Sequence, residues 1–361
     1  MTPVELSRTV LRAVRRAVDV GELRVSVPER VVVAPPGAGG CGDYATNIAL
    51  QLARPAGMPP QRVAEVLREQ LLALRRPDGI DDVVVTGPGF LNIRLRDAGG
   101  ASAALVEEIL RCGARYGYAA QPSGQVVQLH CPCEVRAVVV ADTVARLLRA
   151  QGTLVRTSCE RPPPPEWEHV LGARPDVSGS GTDGVPAPLD VNVRPVPVPA
   201  PADLLRLGRD AARWALLHPA GHDRVRVTDE LLVQRESNPL FRVRYAHART
   251  RALGRNATDL GFARAPGPVT GTEPLVTTLV TALADHPRVL AAAAAHRAPD
   301  RLARQLVTIA DALLAFQHTV LPRGEEKPSA AHRARLALAE AAGTVLAGGL
   351  SLLGIDAPDH L

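Results

Sequence analysis

The stretch Asn238-Pro-Leu-Phe-Arg-Val-Arg-Tyr-Ala-His-Ala-Arg249 decides how the last third of this chain folds. After an Asn-Pro entry it carries four large side chains at helical spacing: Phe241, Tyr245, His247 and Arg249. Aromatic rings stack on bases and guanidinium groups bind phosphates, so these are the groups that an RNA-binding helix presents. The stretch therefore predicts an RNA-facing helix at the start of an all-helical C-terminal region.

The composition is that of a globular protein with a mild preference for polyanions. The 361 residues are enough for two or three domains, and 46% of them are hydrophobic. The formal net charge is +5, and Lys327 is the single lysine, so nearly all positive charge is arginine. Arginine binds phosphate well through its fork of donors, although a bias in genomic base composition explains the same excess.

The cysteines and the hydropathy pattern indicate the compartment. Five cysteines are thinly spread along the chain, at Cys41, Cys112, Cys131, Cys133 and Cys159. No signal peptide precedes them, and no apolar run approaches the roughly 20 residues that a membrane span needs. We therefore expect a cytoplasmic protein with reduced thiols and no membrane partner.

Two further motifs mark the N-terminal part. Gly42-Asp-Tyr-Ala-Thr-Asn47 follows a Gly-rich turn that lacks the spacing and the lysine of a phosphate loop. Gly87-Pro-Gly-Phe-Leu-Asn-Ile-Arg-Leu95 is the second motif. Together with Asp82-Val-Val-Val-Thr86 before it, this motif predicts two strands, or one strand broken at the Gly-Pro-Gly bend. Helices are expected between the two motifs, at about 46–55 and 60–75.

These two motifs and the stretch 238–249 resemble arginyl-tRNA synthetases. In that family the first two belong to an additional N-terminal domain that contacts the D-loop of tRNA, and the third opens the anticodon-binding domain. The resemblance implies D-loop contacts at Thr86, Phe90 and Asn92, with packing of Phe90 in the core as the alternative. It implies anticodon-side contacts at a second set of residues: Asn238, Phe241, Tyr245, His247 and Arg249.

The middle of the chain predicts a strand at 125–130 and a helix at 137–150. In class I synthetases a His-Ile-Gly-His type signature between such elements holds ATP. By the resemblance of the helix, this signature falls on four residues that keep neither histidine nor glycine: Cys131, Pro132, Cys133 and Glu134. The second, lysine-containing signature falls on the segment around Val193, where only Arg194 is kept. Glu134 would repel a triphosphate by about 1–4 kcal/mol at short range.

The Pro- and Gly-rich composition of 161–201 predicts a mobile linker. A metal site is an alternative explanation of the sulfur-rich segment, with ligands drawn from His130, Cys131, Cys133, Cys159 and His169. No second paired ligand motif supports it, so we expect a degenerate site with no metal and no cofactor.

The C-terminal part predicts amphipathic helices at 203–217, 302–316 and 331–353. One departure from the family pattern is Gln317, where an aromatic residue is common. The whole chain thus predicts three parts. An α/β N-terminal tRNA-binding domain covers 1–118, and a short remnant of a Rossmann-type unit with a Pro/Gly-rich linker covers 119–200. An all-α helical-bundle anticodon-binding domain of the DALR type covers 201–361. The catalytic domain of the family is expected to be largely lost.

The function predicted from these features is the binding of arginine tRNA, in translation, by a catalytically inactive synthetase-like protein. The alternative is a regulatory protein-interaction module that partners another synthetase or a tRNA-using enzyme. A working arginine–tRNA ligase is a third hypothesis. Packing of Tyr245 inside the helical bundle would favour the interaction module over RNA binding.

Overall fold

The computed structural model describes residues 3–34, 36, 41–74, 79–95, 98–179, 190–198, 201–269 and 273–361. Contacts divide the chain into two compact units, Met1–Leu105 and Val106–Leu361. The predicted boundaries at 118 and 200 therefore stay predictions. The general class is as expected, since an α/β first part and a parallel sheet are followed by a long helical region.

The first unit packs helices against a small antiparallel sheet with strand order β1-β3-β2. Helix α1 shows the period expected of a half-buried helix, because its inward residues recur every three or four positions: Leu6, Val10, Ala13, Val14 and Ala17. The elements of the first unit are α1 (Pro3–Asp19), β1 (Tyr44–Thr46), α2 (Ile48–Ala56), α3 (Pro60–Ala73), β2 (Ile80–Thr86), β3 (Phe90–Leu95) and the start of α4 (Ala98–Cys112).

A tight turn joins β2 to β3 and fixes the register of this sheet, with Thr86 opposite Phe90. Gly89 has a φ of +136°, which L side chains rarely adopt. A Cβ at this position would also lie 3.0 Å from the main chain of Pro60 at the start of α3. The Gly-Pro-Gly bend is therefore needed both for the turn and for its close approach to the helix.

The second unit contains a parallel four-stranded sheet of order β6-β5-β4-β7. Parallel strands require a crossover, and α5 supplies it between β4 and β5. The elements are β4 (Val126–Cys131), α5 (Val135–Ala150), β5 (Leu154–Cys159), α6 (Pro165–Leu171), β6 (Val177–Ser178) and β7 (Asp190–Asn192). That this sheet is the remnant of a Rossmann-type unit stays a prediction.

The predicted mobile linker at 161–201 needs correction over its first half. The described residues 161–179 form α6 and β6, and they place Trp167 at 7% exposure and Leu171 at 0%. Helix α6 packs on the helix Gly208–Leu217, and β6 pairs with β5, so this segment is packed rather than free. Residues 190–198 add β7, while 180–189 and 199–200 lie outside the described residues.

The rest of the second unit is helical, as predicted from the sequence. The helices are α7 (Pro201–Leu205), α8 (Gly208–Leu217), α9 (Pro239–Asp259), α10 (Glu273–Ala295), α11 (Pro299–Phe316) and α12 (Ala330–Leu353). Helix α10 was not expected from the sequence. Helix α9 packs on both α11 and α12, so its start is held by the centre of the bundle.

Helix α12 is long and apolar enough to cross a membrane by length and composition, contrary to the expectation from the sequence. However, 78% of its most apolar window is buried inside the protein. Small residues let it approach its neighbours closely, because a Cβ at Gly343 would collide with Thr250 of α9 and one at Gly349 with Leu306 of α11. These are the properties of a core helix of the bundle.

A buried arginine joins four helices of this unit. The Arg213 side chain on α8 is fully buried and its guanidinium donates 2.6 Å to the Asp142 carboxylate on α5. It also donates to the Leu171 carbonyl at the end of α6 (2.9 Å) and to the Leu353 carbonyl at the end of α12 (2.7 Å). One side chain thus satisfies the free carbonyl ends of two helices and a carboxylate of a third.

Candidate nucleic-acid interface

Asn238 begins helix α9 and fixes the segment before it. Its side-chain oxygen accepts hydrogen bonds from the N–H groups of Leu240 (3.0 Å) and Phe241 (3.4 Å), which would otherwise lack a partner in the first turn. Its amide nitrogen donates to the carbonyls of Leu231 (2.9 Å) and Val233 (3.0 Å). With 7% exposure, Asn238 positions the helix start and is not itself a free contact.

Phe241 and Tyr245 form an aromatic pair one turn apart on α9. Their ring centroids are 5.5 Å apart with an interplanar angle of 18°. Tyr245 is 39% exposed, so it is not packed inside the bundle as the alternative required. Both rings line a cavity of about 790 Å³ together with Gln317. An exposed ring supported from behind by a second ring is a suitable platform for a base.

Arg249 lies one further turn along α9 and is held from the neighbouring helix. Its Nε–H donates 2.7 Å to the Oε1 atom of Gln317, just after α11. This bond leaves the terminal N–H groups of Arg249 available, because no other bond to them is seen among the described residues. From the sequence alone, Gln317 stood out only as a departure from the family pattern. Its contact with Arg249 crosses 68 positions of the chain and leaves no signal in local spacing.

His247 does not belong to the same surface. Two positions beyond Tyr245, it is turned by about 200° around the helix axis. Its Nδ1 atom lies 3.0 Å from the carbonyl of Pro358, and it is only 6% exposed. Burial lowers the pKa of His247, against a smaller opposing effect of this hydrogen bond, so the ring is neutral at pH 7 and donates from Nδ1. Its observed role is to hold the C-terminal tail.

The three N-terminal candidates lie around the β2–β3 turn. Phe90 is 40% exposed, which contradicts the alternative that it is a core residue. Asn92 is buried, at 2% exposure, and donates 2.6 Å to the Thr86 hydroxyl and 3.4 Å to the Val84 carbonyl. It also accepts 3.3 Å from the main-chain N–H of Cys41. Asn92 and Thr86 therefore shape the turn, and Phe90 is the group that it presents.

The four residues on which the first signature was predicted to fall lie at the carboxyl ends of the parallel strands. Cys131 ends β4 directly opposite Cys159 on β5, and both are buried. Burial, followed by the neighbouring Cys159, raises the pKa of Cys131, so this thiol stays protonated. Cys133 is half-buried, and Glu134 is exposed at the start of α5, where its N–H donates 2.8 Å to the carbonyl of Pro132.

The second signature position lies beside the first. The main-chain N–H of Val193, just after β7, donates 2.8 Å to the carbonyl of His130, and the Val193 side chain is buried. Arg194 follows and forms an ion pair of 3.6 Å with Glu160, just after β5. The two predicted signature positions thus lie at one edge of the sheet, as expected for carboxyl ends of parallel strands.

The described residues do not support a metal site. No group of three or more histidine, cysteine or acidic side chains among them is placed to hold a metal ion. The five cysteines are all free thiols. His130, one of the ligands considered, instead has its Nδ1 atom 2.9 Å from the hydroxyl of Ser158.

Two family descriptions match this chain, one at each end. Residues 5–95 match the arginyl tRNA synthetase N terminal domain, and residues 243–361 match the DALR anticodon binding domain. The first match contains the β2–β3 turn with Phe90. The second contains Tyr245, Arg249 and Gln317.

Curated relatives match along the whole chain. It is 26% identical to the arginine–tRNA ligase of Frankia alni and 26% identical to that of Kineococcus radiotolerans, in each case over 100% of both chains. The first alignment runs over 557 positions whereas this chain has 361 residues, so part of it lies opposite gaps. Identity reaches 43% with the ligase of Renibacterium salmoninarum over 43% of this chain and 30% of that protein.

Solved structures agree on the fold. The arginyl-tRNA synthetase of Thermus thermophilus superposes with a TM-score of 0.72 over 100% of both chains, at 16% identity. The enzyme from Plasmodium falciparum gives a TM-score of 0.69 over 99% of both chains, at 10% identity. The expected mixed α/β fold with a helical C-terminal part is therefore confirmed.

These findings correct the predicted function. The prediction of a catalytically inactive protein, with a regulatory module as its alternative, is wrong, because the end-to-end relatives are arginine–tRNA ligases. The prediction that the catalytic domain is largely lost is likewise not supported, since the alignments cover both chains completely.

Proposed function

Because the chain belongs to the arginyl-tRNA synthetase family and has its N-terminal and DALR domains, we propose that it acts on arginine tRNA as an arginine–tRNA ligase. Arginine tRNA is the partner that this family implies. The observation that carries the proposal is the end-to-end alignment with arginine–tRNA ligases. The exposed aromatic face of α9 independently supports the tRNA-binding part of the proposal, because such a face suits an unpaired base.

On the anticodon side, the proposed contacts are Tyr245 and Arg249. The ring of Tyr245 stacks on an unstacked base, and Phe241 holds that ring in place through its parallel contact. The guanidinium of Arg249, oriented by Gln317, binds a phosphate through its remaining donors. Asn238 and His247 contribute by positioning the helix start and the C-terminal tail.

At the N-terminal domain, the proposed contact with the D-loop is Phe90, supported by the turn that Thr86 and Asn92 shape. We expect Phe90→Ala to weaken the binding of arginine tRNA by about 1–3 kcal/mol, the usual value of a base stack. The change should leave the melting temperature nearly unaltered, because the ring is half solvated. Equilibrium binding and thermal melting of the same variant measure the two effects.

Val84→Ala is the matched control for Phe90→Ala. Val84 is 39% exposed on the neighbouring strand, so it loses a similarly placed apolar side chain. It should bind tRNA like the unchanged protein. Equal affinity of both variants, or a loss of affinity that only follows a loss of stability, would remove Phe90 from the interface.

The proposed site for ATP and arginine is the edge where β4, β5 and β7 end, since open α/β sheets bind ligands outside the carboxyl ends of their strands. Arg161 and Arg194 follow two of these strands and are the positive groups that can meet phosphates there. The single lysine, Lys327, lies instead in the loop between α11 and α12. Glu134 and Glu160 stand at the same edge, and the balance of these charges decides how well a triphosphate binds.

A charging assay tests the ligase reaction. Purified protein, arginine tRNA, ATP and labelled arginine should yield arginyl-tRNA in proportion to the protein added, and none without ATP. Arg194→Met should slow this reaction at least tenfold, because it removes a positive group from the edge. A mock purification from the same host shows whether a host enzyme contributes to the charging. Arg174→Met is the matched control for Arg194→Met, because it removes an exposed arginine that is paired with Glu168.

Two outcomes of the charging assay would contradict different parts of this proposal. Charging no faster than the mock purification, by protein that still binds arginine tRNA, would overturn the ligase activity. Equal rates for Arg194→Met and Arg174→Met would instead remove the assigned edge of the sheet from the reaction.

A further inference from the structure

A charged cavity is lined by residues other than the α9 aromatic pair and other than the charged groups assigned to the ends of the strands. Its volume is about 760 Å³, and it is bounded by the loop 219–223, by the second half of α10 and by the first half of α11. Five arginines and three aspartates line it: Arg136, Arg288, Arg297, Arg301, Arg304, Asp223, Asp285 and Asp300. Two histidines, His222 and His296, complete its titratable groups.

Ion pairs within each helix neutralise most of the acidic groups. Arg288 donates two bonds, of 2.6 and 2.7 Å, to the carboxylate of Asp285 three residues before it. Arg304 is paired in the same way with Asp300, four residues before it. These two arginines and two aspartates therefore add little net charge to the cavity.

Arg136 forms a rigid part of the wall. It is fully buried, and its five N–H donors all reach main-chain carbonyl oxygens at 2.7–3.3 Å, those of Val196, Leu216, Pro219, Ala220 and Asp223. These hydrogen bonds fix the loop 219–223. The positive charge of Arg136 interacts with the single remaining carboxylate of the cavity, that of Asp223. Arg136 has no donor left for a ligand.

Two arginines remain without an internal partner. Among the described residues, the guanidinium groups of Arg297 and Arg301 make no hydrogen bond and no ion pair, and both side chains are exposed. Arg297 has a φ of +53° and is the one described non-glycine residue with a positive φ. The turn before α11 thus holds Arg297 in a backbone conformation that arginine seldom adopts.

The start of α11 adds to the positive potential at the same place. Ala298 precedes the helix and provides no side-chain acceptor for its first N–H groups, and Pro299 is the first helical residue. The positive end of an 18-residue helix therefore opens beside Arg297 and Arg301, with Asp300 already occupied by Arg304. The cavity combines two free guanidinium groups, a helix start and a rigid cationic wall.

We propose that this cavity binds a diphosphate group, with Arg297 and Arg301 each gripping one phosphate. Guanidinium groups match phosphate oxygens in a bidentate geometry, and two of them suit two linked phosphates. The volume exceeds that of one phosphate, so the diphosphate belongs either to a small molecule or to consecutive phosphates of an RNA backbone. The site is separate from the groups assigned to the ligase reaction and to the anticodon, and it does not rest on the proposed function.

The test measures binding of inorganic pyrophosphate by titration calorimetry, using the full chain. We expect Arg297→Asn and Arg301→Gln each to weaken binding roughly tenfold or more, because each removes charge-assisted hydrogen bonds. Asparagine is chosen at 297 because it tolerates positive φ. Arg12→Gln, an exposed helical arginine of the first unit, is the control with the same change in net charge.

A second arm identifies the source of the phosphates. Weaker pyrophosphate binding in the two variants, with normal Arg12→Gln protein, supports a small-molecule diphosphate. Absence of pyrophosphate binding, together with tRNA binding weakened by both variants and not by Arg12→Gln, supports an RNA backbone. Unchanged binding of both ligands in the variants, with unchanged melting curves, overturns the site, whatever the outcome of the charging assay.

Discussion

Arg213→Met is expected to lower the free energy of unfolding by about 3–5 kcal/mol, the usual cost of removing one partner of a buried ion pair. The guanidinium of Arg213 is fully buried and bonded to Asp142, to Thr143 and to two helix-terminal carbonyls. Methionine fills a similar volume and leaves these acceptors without a donor. The melting temperature should fall by on the order of 10 °C.

Arg209→Met provides the control, since Arg209 lies on the same helix and is exposed. It should change stability by no more than about 0.5 kcal/mol. An Asp142→Asn variant tests the pairing, because the double variant with Arg213→Met should lose less than the two single variants together. Equal melting curves for the Arg213→Met and Arg209→Met proteins would show that the buried network does not join these helices.

His286→Phe is expected to make the protein less sensitive to acid. His286 is buried on α10, its ring stacks on Tyr116 at 5.9 Å, and burial lowers its pKa from 6.5 to about 4. The unfolded chain therefore takes up the proton first, and stability falls as the pH drops from about 6.5 towards 4. The full loss is about 3 kcal/mol, since one pKa unit corresponds to about 1.4 kcal/mol.

The measurement is the free energy of unfolding at pH 7 and at pH 4.5, from urea titrations. Phenylalanine keeps the ring stack on Tyr116 and cannot be protonated, so the His286→Phe protein should lose about 2–3 kcal/mol less between these pH values than the unchanged protein. The exposed His296→Gln is the control and should behave like the unchanged protein. Identical pH profiles for all three would mean that the protonation of His286 does not oppose folding.

Local sequence patterns were enough for much of the fold. The apolar period of α1, the Gly-Pro-Gly bend before Phe90 and the Asn-Pro start of α9 all correspond to observed elements, because each is determined by residues within a few positions. Amino-acid composition predicted the structure less well than these local patterns did. The proline-rich segment at 161–179 was expected to be a linker, yet it contains α6, which packs on α8 and in which Trp167 and Leu171 are buried.

The sequence predicted the residues of the candidate site, but not which of them share a surface or which partners they contact. Helical spacing grouped His247 with Tyr245, although the two face different sides of α9 and His247 binds the C-terminal tail. The role of Asn92 inside its turn and the contact of Gln317 with Arg249 depend on partners brought together only by folding. The substituted signature at 131–134 was interpreted as inactivity, whereas the relatives along the whole chain are ligases.

The central claim is that the exposed face of Tyr245 and Arg249 recognises arginine tRNA. The most direct measurement is the affinity of the unchanged protein, Tyr245→Ala and Tyr245→Phe for purified arginine tRNA at two salt concentrations, with melting curves of each. We predict that Tyr245→Ala weakens binding by about 1–3 kcal/mol at an unchanged melting temperature, and that Tyr245→Phe keeps the affinity because it keeps the stacking ring. Full affinity of the Tyr245→Ala protein at both salt concentrations would contradict the account.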